Sequence, residues 1–307
     1  MNILVSRVSR RSALPAALMA LGLLRNTRTT DSPPVRPMRK FLFGLGPRLA
    51  ACALCAWPSA FAQTAPSAPA ATLTPKAAAP IDLTGYWVAV VTEDWRWRMV
   101  TPAKGDYASV PITPAAKAVA DMWDPAKDEA AGEQCRSYGA PALMRVPGRL
   151  HITWQDDSTL KVETDAGMQT RLLHFGDWKA PEGLSWQGAS VANWETPRPP
   201  PGAANAPAQS APKPAKSGDL MVVTNHLRPG YLRKNGIPYS SNAVLTEYWD
   251  LMTERFLSAA HNGEQWIVIT TKVEDPEYLQ IPWITTLHFR REPGGAKWDP
   301  QPCSARW

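Results

Sequence analysis

Asp219-LMVVTNH-Leu227, Ala243-VLTEYWDLM-Thr253, Trp266-IVITTKV-Glu274 and Trp283-ITTLHFR-Arg291 are four β-rich runs with turn residues between them. Consecutive strands joined by short turns pair antiparallel, so the stretch reads as a meander. Upstream, Leu150-HITW-Gln155 and Thr159-LKVET-Asp165 form a hairpin over Asp156-Asp157-Ser158. Met168 to Phe175 and Leu184 to Glu195 add strands, with Gly188 as a bulge or bend. From Val88 to Val100 the side chains alternate. Trp95, Trp97 and Met99 share one face with Trp87, while Asp94, Arg96 and Arg98 share the other, so this reads as a long strand with one wet side. Thr113-Pro114 and Asp124-Pro125 each pair an N-cap with a first-turn proline and open short helices before residue 133. The acidic cluster Asp124, Asp128, Glu129 and Glu133 lacks the spacing of a calcium loop and reads as a solvated helix face. Such strands suit a closed antiparallel barrel or a sandwich, and the expected fold is all-β: a single antiparallel barrel of about 8–10 strands, with one or two short helices near 113–133.

The first 62 residues read as a leader. Met38-Arg39-Lys40, an apolar run and the small-x-small site Ala60-Phe61-Ala62 have the grammar of a secretory signal cut before Gln63. Arg48 interrupts the apolar run, which argues against a span of about 20 residues. Residues 1–37 are either an upstream extension or a degenerate twin-arginine signal at Ser9-Arg10-Arg11. Leu49-Ala50-Ala51-Cys52 also resembles a lipoprotein box, the lipid-anchored alternative to a periplasmic protein without an anchor. The leader holds nine Lys and Arg against one Asp, leaving 24 basic and 26 acidic residues downstream. The net charge of +6 therefore belongs to the leader, and the electrostatic argument for nucleic acid falls away.

Past the leader, residues 63–80 form an Ala/Pro-rich linker and residues 196–217 a Pro-rich insertion in one domain running from 81 to 307. Two cysteines remain, Cys135 and Cys303. In an oxidising compartment they read as one disulfide, the alternative being two buried thiols.

Gly85-Tyr86-Trp87 on the first strand resembles the Gly-x-Trp of lipocalin-type barrels. That resemblance implies that Trp87 closes one barrel end against a basic residue on the last strand, with Arg290 or its neighbour Arg291 positioned to supply it. A second resemblance runs in order through Asp82-LTG-Gly85, Arg145-Val-Pro-Gly148, Ser190-VANW-Trp194, Gly218-DLMVVT-Thr224, Leu245-TEYW-Trp249 and Val273-EDPEYLQIPW-Trp283. It is to a broad group of exported bacterial β-rich proteins, and it implies an exported barrel-like fold without implying a substrate. Relatives of that group carry Pro-His-Ser where this chain has Pro238-Tyr239-Ser240, so a role for that histidine does not transfer.

No nucleophile elbow, phosphate loop or dinucleotide fingerprint occurs, and no catalytic residue or cofactor is assigned. The five histidines lack zinc spacing, although His151, His174 and His288 sit on strands and would converge only across a barrel. Glu195 and Glu247 pair as acid and base only if both face inward. The polar stretch from Asn225 to Ser241 packs His226, Arg228, Tyr231, Arg233 and Tyr239 between two apolar strands. With Glu247 these are the candidate ligand-binding residues. Of the fourteen tryptophans, thirteen follow the leader; inward they fill the barrel or line a pocket, and outward they form an interaction surface. Three functions stand: non-catalytic binding of a small apolar or amphipathic ligand in the barrel, a packed envelope protein-interaction module, or a lipocalin-like isomerase or cyclase.

Overall fold

In the computed structural model, residues 73–195, 219–252 and 263–306 are described. The leader, residues 63–72 of the linker and the insertion at 196–217 lie outside them. Nine strands close into a barrel: β1 Gly85–Val90, β2 Arg149–Trp154, β3 Thr159–Thr164, β4 Thr170–Phe175, β5 Ala189–Glu195, β6 Asp219–Asn225, β7 Val244–Met252, β8 Trp266–Glu274 and β9 Trp283–Glu292. They follow one another around the ring in chain order, and β9 closes it on β1, with Trp87 opposite Arg291.

The barrel is mixed, which departs from the expected antiparallel sheet. A closed ring with an odd number of strands cannot alternate direction all the way round. The break falls at β4 and β5, which run parallel with Leu173 opposite Ser190. The chain returns along the barrel through residues 176–188 to make that pair. Gly188 ends the return at φ 62, and a Cβ there would lie 2.3 Å from the Asn225 carbonyl oxygen, so the bend requires glycine. The expected strand from Leu184 is thereby shortened to Ala189–Glu195.

Three connections gather at one end of the barrel: residues 91–148 between β1 and β2, 226–243 between β6 and β7, and 275–282 between β8 and β9. Together they form a lid. The long strand expected from Val88 stops at Val90, because Asp94 adopts left-handed geometry (φ 51) and Trp95–Arg98 coil into a single turn, α2. Alternation in that stretch therefore reports no strand, and Arg98 is buried rather than wet. The two capped helices occur as expected. α3, Pro114–Asp121, starts with the Ala116 amide donating to Thr113 Oγ1 at 3.1 Å. α4, Pro125–Ala130, starts with the Ala126 amide donating to Asp124 Oδ1 at 3.0 Å. The lid is stitched together by Thr113 N to Tyr278 O (3.0 Å), Gln280 N to Pro111 O (2.8 Å), and Asn235 Nδ2 to the Ala103 and Asp106 carbonyls (3.1 and 2.9 Å).

Order begins upstream of the expected Ile81. Pro75–Ala78 form a turn of helix, α1, against the opposite end of the barrel, where Trp194 Nε1 donates to Pro75 O at 2.9 Å. Cys135 and Cys303 are disulfide-bonded with Cα atoms 5.1 Å apart, tying the C-terminal tail to the lid. Inside, Trp87, Ile152, Val162, Leu173, Ala192, Leu220, Val222, Trp249, Ile267, Ile269 and Leu287 are fully buried against one another. A second core under the lid packs Leu227, Leu232, Ile237, Tyr239, Leu245, Val273 and Trp283.

Candidate functional site

Above the apolar core, six inward positions on β4 to β9 are polar: Arg171, Ser190, Thr224, Glu247, Thr271 and Thr285. Arg171 and Glu247 meet across the interior through bonds of 3.0 and 2.6 Å, and Arg171 also donates to Thr224 Oγ1 at 3.3 Å. Both side chains are wholly shielded from solvent. A guanidinium engages a carboxylate most strongly through both oxygens, so Glu247 is committed to Arg171. Glu195 is exposed at the far end of β5, so the two glutamates do not form an acid/base pair.

The lid holds a different arrangement. A cavity of about 30 Å³ is lined by Trp97, Arg98, Ser137, Ala142, Arg145, Val146, Leu232, Arg233 and Lys234. Each arginine is fixed by part of its guanidinium. Arg98 Nε donates to Arg145 O at 3.0 Å and Arg98 Nη1 to Glu93. Arg145 Nη2 donates to Asp94 Oδ2 at 3.0 Å, and Arg233 Nη1 to Ala108 O at 2.7 Å. Stacking holds the planes: Arg233 lies 4.8 Å from the Trp97 ring and 5.8 Å from Trp283, and Arg145 lies 4.8 Å from Trp283. Four further nitrogens, Arg98 Nη2, Arg145 Nη1, Arg233 Nε and Arg233 Nη2, are buried with no hydrogen-bond partner among the described residues. The arginines are almost completely buried, at 3, 6 and 4 % exposure.

Burial dominates the electrostatics. Desolvation lowers the Arg98 guanidinium to about 10 against the opposing pull of Glu93, and lowers Arg233 to about 10 with Arg145 adding repulsion. It lowers Arg145 as well, and brings the Lys234 ammonium down to about 7. Lys234 Nζ donates to the Tyr138 hydroxyl at 2.7 Å. Glu93 and Asp94 answer Arg98 and Arg145, and Asp106, which also draws on Arg233, is shared with Arg96 at 2.7 Å, so three carboxylates face four arginines and the cavity keeps an excess of positive charge.

The six residues grouped by sequence separate in space. Arg233 alone lines the cavity. His226 (φ 55) bonds Asn225 Oδ1 at 2.7 Å. Arg228 stacks on Trp186 at 4.3 Å and pairs with Glu133 at 2.5 Å. Tyr231 donates to Asp128 at 3.0 Å under the Arg136 guanidinium. Asp128 is therefore a buried acceptor, which corrects the solvated-face reading at that one position, while Glu129 is exposed and Asp124 and Glu133 are half-buried. Tyr239 is buried with its hydroxyl unpartnered, packed where a Cβ on Gly139 or Gly230 would lie 2.0 or 2.6 Å away.

The basic residue expected against Trp87 is Arg291, 5.3 Å over its ring, and not Arg290. Arg291 shares strand parity with the buried Leu287 and Phe289, while Arg290 points outward toward Glu264 at 3.6 Å. The three strand histidines do not converge. His151 stacks on Tyr86 at 4.2 Å, His174 on Trp178 at 3.8 Å, and His288 pairs with Glu93. Among the described residues no group of three metal-ligating side chains is placed to hold an ion, and no helix is long and apolar enough to cross a membrane.

Arg98, Arg145 and Lys234 were not among the sequence candidates. The signal for them is thin: Trp95-Arg-Trp-Arg98 and Arg145-Val-Pro-Gly148 are basic residues beside aromatic or turn residues in two separate segments. Compared with protein-family models, curated proteins and solved structures, the chain matches none of them.

Proposed function

We propose that this is an exported, periplasmic binding protein without catalytic chemistry, in which the barrel is the scaffold and the lid holds the ligand. The observation that carries the reading is the contrast between two interiors. Among the described residues the barrel is filled by buried side chains, and its inward Arg171–Glu247 pair is matched through two bonds, with Arg171 Nε and Trp249 Nε1 as the unpartnered atoms there and no cavity beside them. Under the lid, rigid cations surround a cavity with part of their hydrogen-bonding capacity unused. Buried polar groups without partners are costly, and they persist at sites shaped for something else.

On this reading the ligand is small and amphipathic, with its polar end against the arginines and its apolar part against Trp97 and Leu232. The Trp87–Arg291 stack supports a lipocalin-like ancestry of the barrel, and the secretory grammar of residues 38–62 supports export. Trp97 faces the cavity, so its emission reports occupancy. A small-molecule screen read by intrinsic fluorescence is expected to find ligands whose signal disappears in Trp97→Phe. Ligands whose signal survives that change, or no ligand at all, would overturn the reading.

One observation favours the protein-interaction reading in addition. Trp95, Met99 and Val100, on the lid beside the cavity, are 66, 56 and 58 % exposed. The isomerase or cyclase reading needs a free polar group in the barrel, and Glu247 is held by Arg171.

A further inference from the structure

We propose that the lid cavity is a binding site for a tetrahedral oxyanion, phosphate or sulfate, recognised by Arg98, Arg145, Arg233 and Lys234. This rests on the lid being the binding site and names the chemistry it takes.

Four guanidinium nitrogens on three arginines are buried, unpartnered and arranged around one small cavity. Every one of them is a donor, because an arginine side chain has no acceptor and does not lose its proton near neutral pH. What fits is therefore an acceptor bearing negative charge. A neutral carbonyl ligand would leave the excess positive charge unanswered. Burying an incompletely paired cation is costly, and a bound anion removes most of that cost.

Number and size narrow the class. A carboxylate has two oxygens and saturates with one or two forks. Four unpartnered donor nitrogens on three arginines, with Lys234 and Ser137 also lining the cavity, ask for three or four oxygens around a centre. A volume of about 30 Å³ holds roughly two water-sized bodies, which is the scale of one compact ionic group, either a free ion or the polar end of an amphipathic ligand.

Preorganisation completes the argument. Contacts to Glu93, Asp94, the Arg145 carbonyl and the Ala108 carbonyl fix the three side chains, and Trp97 and Trp283 pack against Arg145 and Arg233. Little rotamer entropy is left to lose on binding. Among the described residues no other cationic site has this form. Arg291 beside the surface hollow at Tyr86 and Glu292 bonds Gln265 Oε1 and the Thr84 carbonyl, and Arg171 is paired with Glu247 and leaves only Nε without a partner.

The test is calorimetric titration of the secreted chain with inorganic phosphate, sulfate, phenyl phosphate and acetate at constant ionic strength. Saturable binding of phosphate or sulfate is expected, at least tenfold tighter than acetate. Arg233→Met is expected to weaken it at least thirtyfold, and Arg233→Lys, which keeps the charge and loses the fork, at least fivefold. Arg228→Met, on the exposed Arg228, is expected to leave it unchanged. Circular dichroism checks that each variant is folded, and Arg233→Lys carries the test if Arg233→Met does not fold. Phenyl phosphate binding as well as phosphate would identify an esterified group as the source, and its exclusion a free ion; both uphold the site. Acetate binding as tightly as phosphate, or phosphate binding that survives Arg233→Lys, overturns the oxyanion. If neither anion binds but a ligand from the fluorescence screen still acts through Trp97, the oxyanion fails and the lid remains the binding site.

Discussion

At the scale of single residues, Lys234 is the most consequential group. Desolvation holds its ammonium near 7, against about 10.5 in an unfolded chain. Tyr138, Ser137 and the arginines Arg98, Arg145 and Arg233 share its surroundings, with Asp128, Glu133, Arg136 and Tyr231 on its other side. Between pH 7 and 10.5 the unfolded chain therefore binds more protons at this site than the folded one, so stability rises with pH across that window. The penalty is complete below pH 7 and gone above 10.5. From pH 7 to 9 the folded state is expected to gain about 2 kcal/mol from this group, measured by denaturant unfolding, and Lys234→Met is expected to flatten that rise. Arg171 and Glu247 show the opposite solution to the same problem. A fully buried cation there is matched by a carboxylate through two oxygens, and removing either partner alone would leave an uncompensated charge.

At the scale of elements, the parallel pair β4 and β5 governs the ring. A nine-strand barrel needs one parallel contact, and the return through residues 176–188 supplies it by ending in the left-handed bend at Gly188. Gly188→Ala combines an unfavourable φ with a Cβ 2.3 Å from the Asn225 carbonyl and is expected to cost about 3 kcal/mol of stability. Gly176→Ala, at φ 76 with nothing within 4 Å of the added carbon, shares the backbone penalty without the collision and is expected to cost about 1 kcal/mol. Equal losses in thermal unfolding would show that the close approach to Asn225 does not hold the bend. Alternation from Val88 to Val100 failed as a strand signal because period-two patterning says nothing about where a chain turns. The left-handed Asp94 moves Trp97 and Arg98 from a sheet face into the lid.

At the scale of the whole molecule, the lid is held to the barrel from several directions. The Cys135–Cys303 bridge closes a loop of 168 residues. The tail it anchors pairs Gln301 and Pro302 with Ala166 and Gly167, and the Ser304 amide donates to the Tyr138 hydroxyl that also receives Lys234. Cutting so long a loop free in the unfolded state is expected to cost about 4 kcal/mol in Cys135→Ser, seen as a lower denaturation midpoint, with the wild-type protein falling equally in reductant. A variant as stable as the wild type would show that the packing of the tail suffices without the bond.

The residues alone determined most of the architecture. Runs of apolar alternation, separated by turn residues, specified an all-β barrel and its hairpins, since each period-two run has one face to bury. Thr113-Pro114 and Asp124-Pro125 specified two helix starts, because capping is a local interaction. Trp87 announced its basic partner but not which of two adjacent arginines, a choice made by strand parity. Tertiary structure decided the rest. Whether the ring is antiparallel throughout depends on how many strands close it, and no local pattern counts them. The polar loop from Asn225 to Ser241 was legible as unusual, yet its members disperse to five separate environments. The cavity instead takes Arg98, Arg145 and Arg233 from positions far apart in the chain, because a lid folded over one barrel end brings together side chains that no spacing in the sequence connects.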